Sequence, residues 1–172
     1  MNKMNKGVLR IDGDGIGANS FGYVHSVFKK HADVVAVEVY VKVGSGNYKG
    51  WMELSKTHGV TVIPLPVSSG KNAVDIEIAL QTSKDLFFSH RINVYGIAAS
   101  DYDFSPIARE IRKRGCELIG FGFPQTPPEF QTKCTSFELL SKQIIEASNL
   151  LACHRDKKDE PMVHLSVVGK AA

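Results

Sequence analysis

The segment Val8-Leu-Arg-Ile-Asp-Gly-Asp-Gly15 joins a short apolar run to a turn that is rich in glycine and aspartate. Residues 17–30 follow, with apolar side chains at helical spacing. A short apolar strand that enters a glycine-rich turn and continues into an amphipathic helix is typical of the first half of a β-α-β unit. This segment therefore predicts the opening of an α/β fold.

The rest of the chain repeats the same alternation of strand and helix. We predict further strands at 34–43, 60–65, 94–99 and 118–123, and helices near 49–58, 73–88, from 105 onward, and 139–151. In the helix at 73–88 we expect Ile76, Ala79 and Leu80 to share one face. Strands that are continuously apolar indicate a parallel sheet covered on both sides. The predicted fold is a Rossmann-like, three-layer α/β domain with about five mainly parallel strands.

Composition and charge limit what the chain can be. Its 172 residues are 43% hydrophobic and 23% charged, which suits one domain with a real core. We expect this domain to span 1–153, and 154–172 to form a charged flexible tail or a late strand. There is no apolar run of about 18 residues and no secretory h-region, so we expect no membrane association and a cytoplasmic location.

The charged and sulfur-containing residues narrow the partners. Basic residues exceed acidic ones by 21 to 18, a formal charge of +3 that permits an anionic partner without requiring one. The basic run at 109–114 is interpreted as a solvated helix end, with a nucleic-acid groove as the less favoured alternative. Three cysteines without a C-x-x-C pair predict neither a zinc site nor a disulfide framework.

Five aspartates fall where strands end and helices begin. Asp12 and Asp14 follow the first strand, Asp101 and Asp103 follow the fourth, and Asp75 lies in the first turn of the central helix. In an open parallel sheet these positions meet at the carboxyl edge, where ligands bind. Each aspartate alone also fits an ordinary turn or helix cap.

Together, these carboxylates predict a cation-binding site. Clustered carboxylates repel one another and must be neutralised, be separated or bind a positive charge. Oxygen ligands without histidine or cysteine suit Mg²⁺ or Mn²⁺. Such a metal orients a phosphate and lowers the pKa of a bound water.

Two other motifs in this region match a known type of site only in part. Gly13-Asp-Gly-Ile-Gly-Ala18 matches a dinucleotide-binding fingerprint, but the acid expected about 20 residues later could only be Glu38, inside a strand. We therefore expect no nucleotide cofactor. Asp12 and Asp14 also resemble the aspartyl-phosphate motif of haloacid-dehalogenase-type phosphatases, with Ser100 in the place of the second motif. The lysine and final acidic pair of that family do not follow in order, so this remains a lesser alternative.

Five segments in order resemble the NYN domain, in the LabA-like branch of the PIN-like nuclease superfamily. The best-matched region is 7–140. The matching segments are Ile11-Asp-Gly-Asp14, Trp51 before a His-Gly turn, Ser69-Gly-Lys-Asn-Ala-Val-Asp-Ile76, Ser100-Asp-Tyr-Asp-Phe-Ser-Pro106, and Ile119-Gly-Phe-Gly122 with Thr126-Pro-Pro-Glu-Phe130.

The resemblance implies a ribonuclease that uses a divalent metal, Mg²⁺ or Mn²⁺, to hydrolyse RNA phosphodiester bonds through metal-bound water. By matched position, the catalytic and metal-binding carboxylates are Asp12, Asp75, Asp101 and Asp103. The residues implied to bind or position the substrate are Asp14, Lys71, Asn72, Ser100 and Thr126. RNA is then the expected partner, and the sequence is compatible with a homo-oligomer.

Two departures from the family pattern leave a second function open. Gly15 stands where relatives commonly have asparagine, and Gln81 stands where they commonly have a further aspartate. Glutamine cannot supply the missing negative charge. The alternative is an NYN domain with weakened catalysis that binds RNA or protein without cleaving it.

Overall fold

The computed structural model describes residues 5–100 and 103–158, and its central element is a six-stranded sheet. The strands are β1 (Lys6–Asp12), β2 (Asp33–Lys42), β3 (Thr61–Leu65), β4 (Val94–Ala98), β5 (Glu117–Gly122) and β6 (Ser136–Leu139). A 3-10 turn at Ala18–Ser20 precedes the first helix. The helices are α1 (Phe21–Phe28), α2 (Tyr48–Ser55), α3 (Ala73–Phe88), α4 (Ser105–Lys113), α5 (Pro128–Lys133) and α6 (Lys142–Lys158).

The strand order is β3-β2-β1-β4-β5-β6, and all neighbouring strands are parallel. Ile11 of β1 pairs with Val39 on one side and Ala98 on the other. The chain builds the sheet outward from β1 in one direction and then returns to add β4 on its other side. The predicted α/β fold is confirmed, and this reversal places a crevice beyond the ends of β1 and β4.

The strand count differs from the expected five because β6 escapes prediction. It has four residues, three of them only half-buried, at the edge of the sheet. Such a segment is too short to show the period of a strand. The final helix consequently begins at Lys142 rather than 139 and continues through Lys158, while residues 159–172 of the expected tail lie outside the described residues.

Each face of the sheet has its own core. On one face Leu9 and Ile11 pack with side chains from α1 and α2, including the fully buried Trp51. The indole N–H of Trp51 donates a hydrogen bond to the carbonyl of Ile16, 2.9 Å away. Val8 points to the opposite face, where α3, α4 and α5 cover the sheet. Because strand side chains alternate, Arg10 and Asp12 point to this second face as well.

The face of α3 that carries Ile76 and Leu80 is its outer face. Ile76 and Leu80 are 55% and 46% exposed, whereas Val74, Ile78 and Leu86 are buried against the sheet. Apolar side chains occur on both sides of this helix, so the hydrophobic pattern alone does not identify the inner face. The inner face also carries two buried polar side chains, those of Asp75 and Thr82.

Within the described residues, no helix is long and apolar enough to cross a bilayer. Cys116 and Cys134 are half-buried free thiols, and Cys153 is an exposed one.

Candidate active site

The turn after β1 fixes the position of Asp12. Its Oδ1 accepts hydrogen bonds from the backbone N–H groups of Asp14 and Gly15, at 3.0 and 3.1 Å. The residue is only 6% exposed. A short side chain that accepts N–H groups two and three residues ahead stabilises a tight turn and holds its carboxylate in one orientation.

Gly15 allows this carboxylate to lie beside Ser100. A Cβ atom at position 15 would meet Asp12 Oδ2 at 2.6 Å and would also collide with Ser100 Oγ. The glycine at position 15 therefore leaves room for an aspartate and a serine from two adjacent strand ends.

The second buried carboxylate comes from α3. Asp75 lies in the first turn of this helix and is 8% exposed. The turn before it closes through hydrogen bonds from Ala73 N–H to the Gly70 carbonyl and from Ile76 N–H to the Asn72 carbonyl, at 3.1 and 3.0 Å. A carboxylate in the first turn is favoured by the positive end of the helix dipole.

These elements enclose a cleft of about 380 Å³ at the crevice between β1 and β4. Its lining residues are Asp12, Asp14, Gly15, Lys71, Asn72, Val74, Asp75 and Ser100. Lys71 and Asn72 are exposed at the rim, whereas the two aspartates Asp12 and Asp75 are buried in the wall. The cleft thus combines acidic walls with a basic side chain at its mouth.

Asp14 borders the cleft but also connects β1 to β2. Its Oδ1 accepts the N–H of Lys42 at 2.9 Å, and its backbone carbonyl accepts a hydrogen bond from Asn47 Nδ2 at 3.0 Å. The carboxylate therefore already satisfies a backbone donor at the end of β2.

Thr126 holds the backbone of Ser100, which lines the cleft. It is 1% exposed, and its hydroxyl donates to the Ser100 carbonyl at 2.8 Å while accepting the Phe123 N–H at 3.1 Å. It joins the loop after β5 to the end of β4. Its contacts are thus with the backbone around Ser100, and it is not a lining residue.

Asp103 lies just before α4, whose N-cap residue is Phe104. Its Oδ1 accepts the N–H of Ser105 at 2.8 Å, and hydrogen bonding from Ser105 lowers the pKa of the Asp103 carboxyl. It is exposed and is not among the lining residues of the cleft. Asp101, predicted as its companion, and Tyr102 lie outside the described residues.

Among residues 5–100 and 103–158, no three aspartate, glutamate, histidine or cysteine side chains form a metal-binding group. The side-chain oxygen donors that line the cleft are the carboxylates of Asp12, Asp14 and Asp75, the amide of Asn72 and the hydroxyl of Ser100. Oxygen donors of this kind fit a hard divalent cation such as Mg²⁺ and provide no soft ligand for zinc or copper.

The basic run at the end of α4 does not reach this cleft. Because α4 begins at the carboxyl edge of the sheet and runs back along it, its last turn lies at the opposite edge. Lys113 there pairs with Glu110 at 3.0 Å, in agreement with the predicted solvated helix end.

Sequence reasoning missed a buried ionic cluster next to the cleft. Arg10 is 1% exposed; its Nε donates to Glu38 at 2.8 Å, its Nη1 to Thr82 at 3.1 Å, and its Nη2 to Asp85. The hydroxyl of Tyr40 donates to the same Glu38 oxygen at 2.9 Å. The signal was an arginine inside an apolar strand, because a buried charge requires partners.

Comparisons with known proteins agree with this architecture. A crystal structure from Vibrio parahaemolyticus RIMD 2210633, described as a protein of unknown function, is similar with a TM-score of 0.67 and 17% identity. The match covers 83% of this chain and 96% of the other, and it shows a shared fold. No curated protein sequence matches this chain. The sequence profile of the NYN domain matches residues 8–141, so the chain belongs to the NYN domain family of PIN-like nucleases.

Proposed function

We propose that this protein is a ribonuclease that depends on a divalent metal. The observation that carries the proposal is the convergence of Asp12 and Asp75, each less than a tenth exposed, on one cleft at the sheet's switch point. The neighbouring Ser100 and Lys71 add a hydroxyl and a positive charge to the same cleft.

The charge of the cleft supports the proposed requirement for metal. Carboxylate walls repel a phosphodiester unless a cation lies between them. Asp12 and Asp75, with Ser100, would hold Mg²⁺ or Mn²⁺. Asp101 and Asp103 belong to the proposed acidic set by matched position, although Asp103 does not line the cleft. When bound, the cation would offset phosphate charge and lower the pKa of a water molecule for attack.

The remaining residues of the cleft orient the RNA. Lys71 and Asn72 precede α3, so their side chains and the first free N–H groups of the helix face an incoming phosphate. Asp14 keeps the turn after β1 attached to β2, and Thr126 keeps Ser100 in place through its carbonyl. These residues are therefore proposed to position metal and substrate without reacting themselves.

A binding module is the second candidate function, and Gln81 is the observation that favours it. This neutral side chain is half-buried in α3, where relatives commonly have an acid. A site with fewer charges would bind metal more weakly. In this alternative the same cleft holds RNA or protein without turnover.

Cleavage of a labelled RNA in Mg²⁺ or Mn²⁺ separates these functions. We expect activity that chelation abolishes, and a loss on the order of 100-fold in Asp12→Asn and in Asp101→Asn. Asp33→Asn, an exposed aspartate at the start of β2, is the matched control and should cleave normally.

Equal cleavage by the wild type and Asp12→Asn would contradict the catalytic proposal. RNA binding that is independent of metal and produces no cleavage would favour the binding module. Hydrolysis of a chromogenic phosphomonoester, with phosphate trapped on Asp12, would instead support the phosphatase alternative.

A further inference from the structure

The outer face of α3 carries an apolar seam. Ile76, Leu80 and Phe87 are 55%, 46% and 58% exposed. With Ala73 and Ser83 they follow a spacing of three, four, three and four residues, which is the a/d pattern of a coiled coil. The inner face of α3 packs on the sheet, so this helix has two apolar sides and the fold covers only one.

The seam ends at Phe87, whose ring contacts a cation. The guanidinium carbon of Arg114 lies 4.7 Å from the centre of the Phe87 ring. Such a cation–π contact orients the ring. Phe88, next along the helix, is 85% exposed. Adjacent exposed aromatic and aliphatic side chains of this kind mark an interaction surface more often than isolated ones do.

Charges beside the seam indicate what covers it. Glu77 and Lys84 are both exposed and are seven residues apart. If Ala73 is assigned to heptad position a, both residues occupy heptad position e. In an antiparallel pair of helices, e positions face one another. Glu77 then lies opposite Lys84 of the partner subunit, and the two-fold axis creates this pair twice. In a parallel pair, e positions face g positions, which here are the uncharged Ala79 and Leu86.

We propose that α3 packs antiparallel against α3 of a second copy of this chain, forming a symmetric dimer. In an antiparallel pair, each residue at heptad position a packs against a residue at position d of the other helix. Ile76 therefore contacts Phe87 of the partner subunit, and Leu80 contacts the partner's Ser83. The small serine allows the two helices to approach closely at the axis. One patch thus complements itself in both shape and charge, as a two-fold interface requires.

The dimer has a consequence for the two clefts that does not depend on their chemistry. Each cleft lies at the amino end of α3, and a 16-residue helix is about 24 Å long. Antiparallel packing therefore places the two clefts at opposite ends of the interface. Each cleft remains open and acts on its own ligand.

The oligomeric state of the full chain tests this proposal. Sedimentation or light scattering should give twice the 18.9 kDa chain mass. We expect Leu80→Glu to raise the dimer dissociation constant at least roughly 100-fold, because it places two charges at the centre of the seam. Leu150→Glu is the matched control, since Leu150 is 64% exposed on α6. Thermal unfolding checks that both variants fold.

A charge exchange tests the orientation. Glu77→Lys and Lys84→Glu should each weaken the dimer roughly 10-fold, and the double variant should restore it. A monomeric wild type would overturn the proposal. A dimer that Leu80→Glu leaves intact, or single charge variants that the double variant does not rescue, would overturn it as well.

Discussion

Two groups of charged side chains lie on the same face of β1, two residues apart along the strand. The first surrounds Arg10, which is buried and bound to Glu38, Thr82 and Asp85. The second surrounds Asp12 in the cleft. The spacing between their strand positions is about 7 Å. The groups nevertheless differ in how their charge is compensated.

The Arg10 group contains its own cation and hydrogen-bond partners from β2 and α3. In the cleft, by contrast, the buried charged side chains are carboxylates and the nearby cation, Lys71, is exposed at the rim. A charge group that is complete within the fold holds elements together. One with an excess of a single sign is suited to a ligand of the opposite sign.

The largest effect is expected from breaking the internally paired group. Arg10→Met leaves Glu38 and Asp85 partly buried without their cation, and should lower the free energy of unfolding by about 3–5 kcal/mol. Denaturant unfolding measures this loss. The triple variant with Glu38→Gln and Asp85→Asn should recover most of it, because no uncompensated charge remains. Equal instability of the single and triple variants would show that packing, not charge, governs this group.

In the cleft the effect should fall on activity instead. Asp75→Asn keeps the side-chain volume but removes a charge from the proposed metal site, so RNA cleavage should fall on the order of 100-fold. The free energy of unfolding should change by less than about 1 kcal/mol. Rate assays and denaturant unfolding on the same sample separate the two outcomes. A large loss of stability would place Asp75 with the structural group.

A smaller effect should follow from crowding the cleft without changing its charge. Gly15→Ala introduces a Cβ 2.4 Å from Ser100 Oγ and 2.6 Å from Asp12 Oδ2, so these side chains must move apart. We expect cleavage to fall roughly 10-fold because catalytic groups depend on precise placement. Gly46→Ala is the control, since a Cβ there meets no atom within 4 Å. Unchanged cleavage in Gly15→Ala would show that the close approach of these side chains is not needed.

The smallest effect concerns an ion pair that is neither buried nor in the cleft. Lys133 and Glu129 are 2.6 Å apart on α5, and the Glu129 side chain is 69% exposed. Glu129→Gln should change the free energy of unfolding by less than about 0.5 kcal/mol, because water already solvates the pair. Thermal unfolding at low and high salt measures this difference. If Glu129→Gln lowered the free energy of unfolding as much as Arg10→Met, burial would not explain the difference between the charged groups.

The sequence was sufficient for features that depend on local pattern. The helix predicted at 73–88 coincides with α3, and the glycine-rich turn correctly placed Asp12 at the end of a strand. That Asp12 and Asp75 share a cleft followed from the rule that strand ends meet at one edge.

Features that depend on distant partners could not be predicted. Nothing near Arg10 in sequence indicates Asp85, which is 75 residues away. The buried side of α3 could not be predicted from apolar periodicity, because apolar side chains occur on both sides of this helix. The strand β6 was missed because its four residues are stabilised by pairing with β5.

The hydrogen bond from Trp51 to Ile16 gives the chain a built-in optical reporter. Trp51 is the single tryptophan, and it is completely buried. Its indole contacts the segment that follows Asp12 and Asp14, since Ile16 accepts its hydrogen bond. Intrinsic fluorescence at one wavelength therefore reports on the very turn that presents the acidic residues, and it does so without any label.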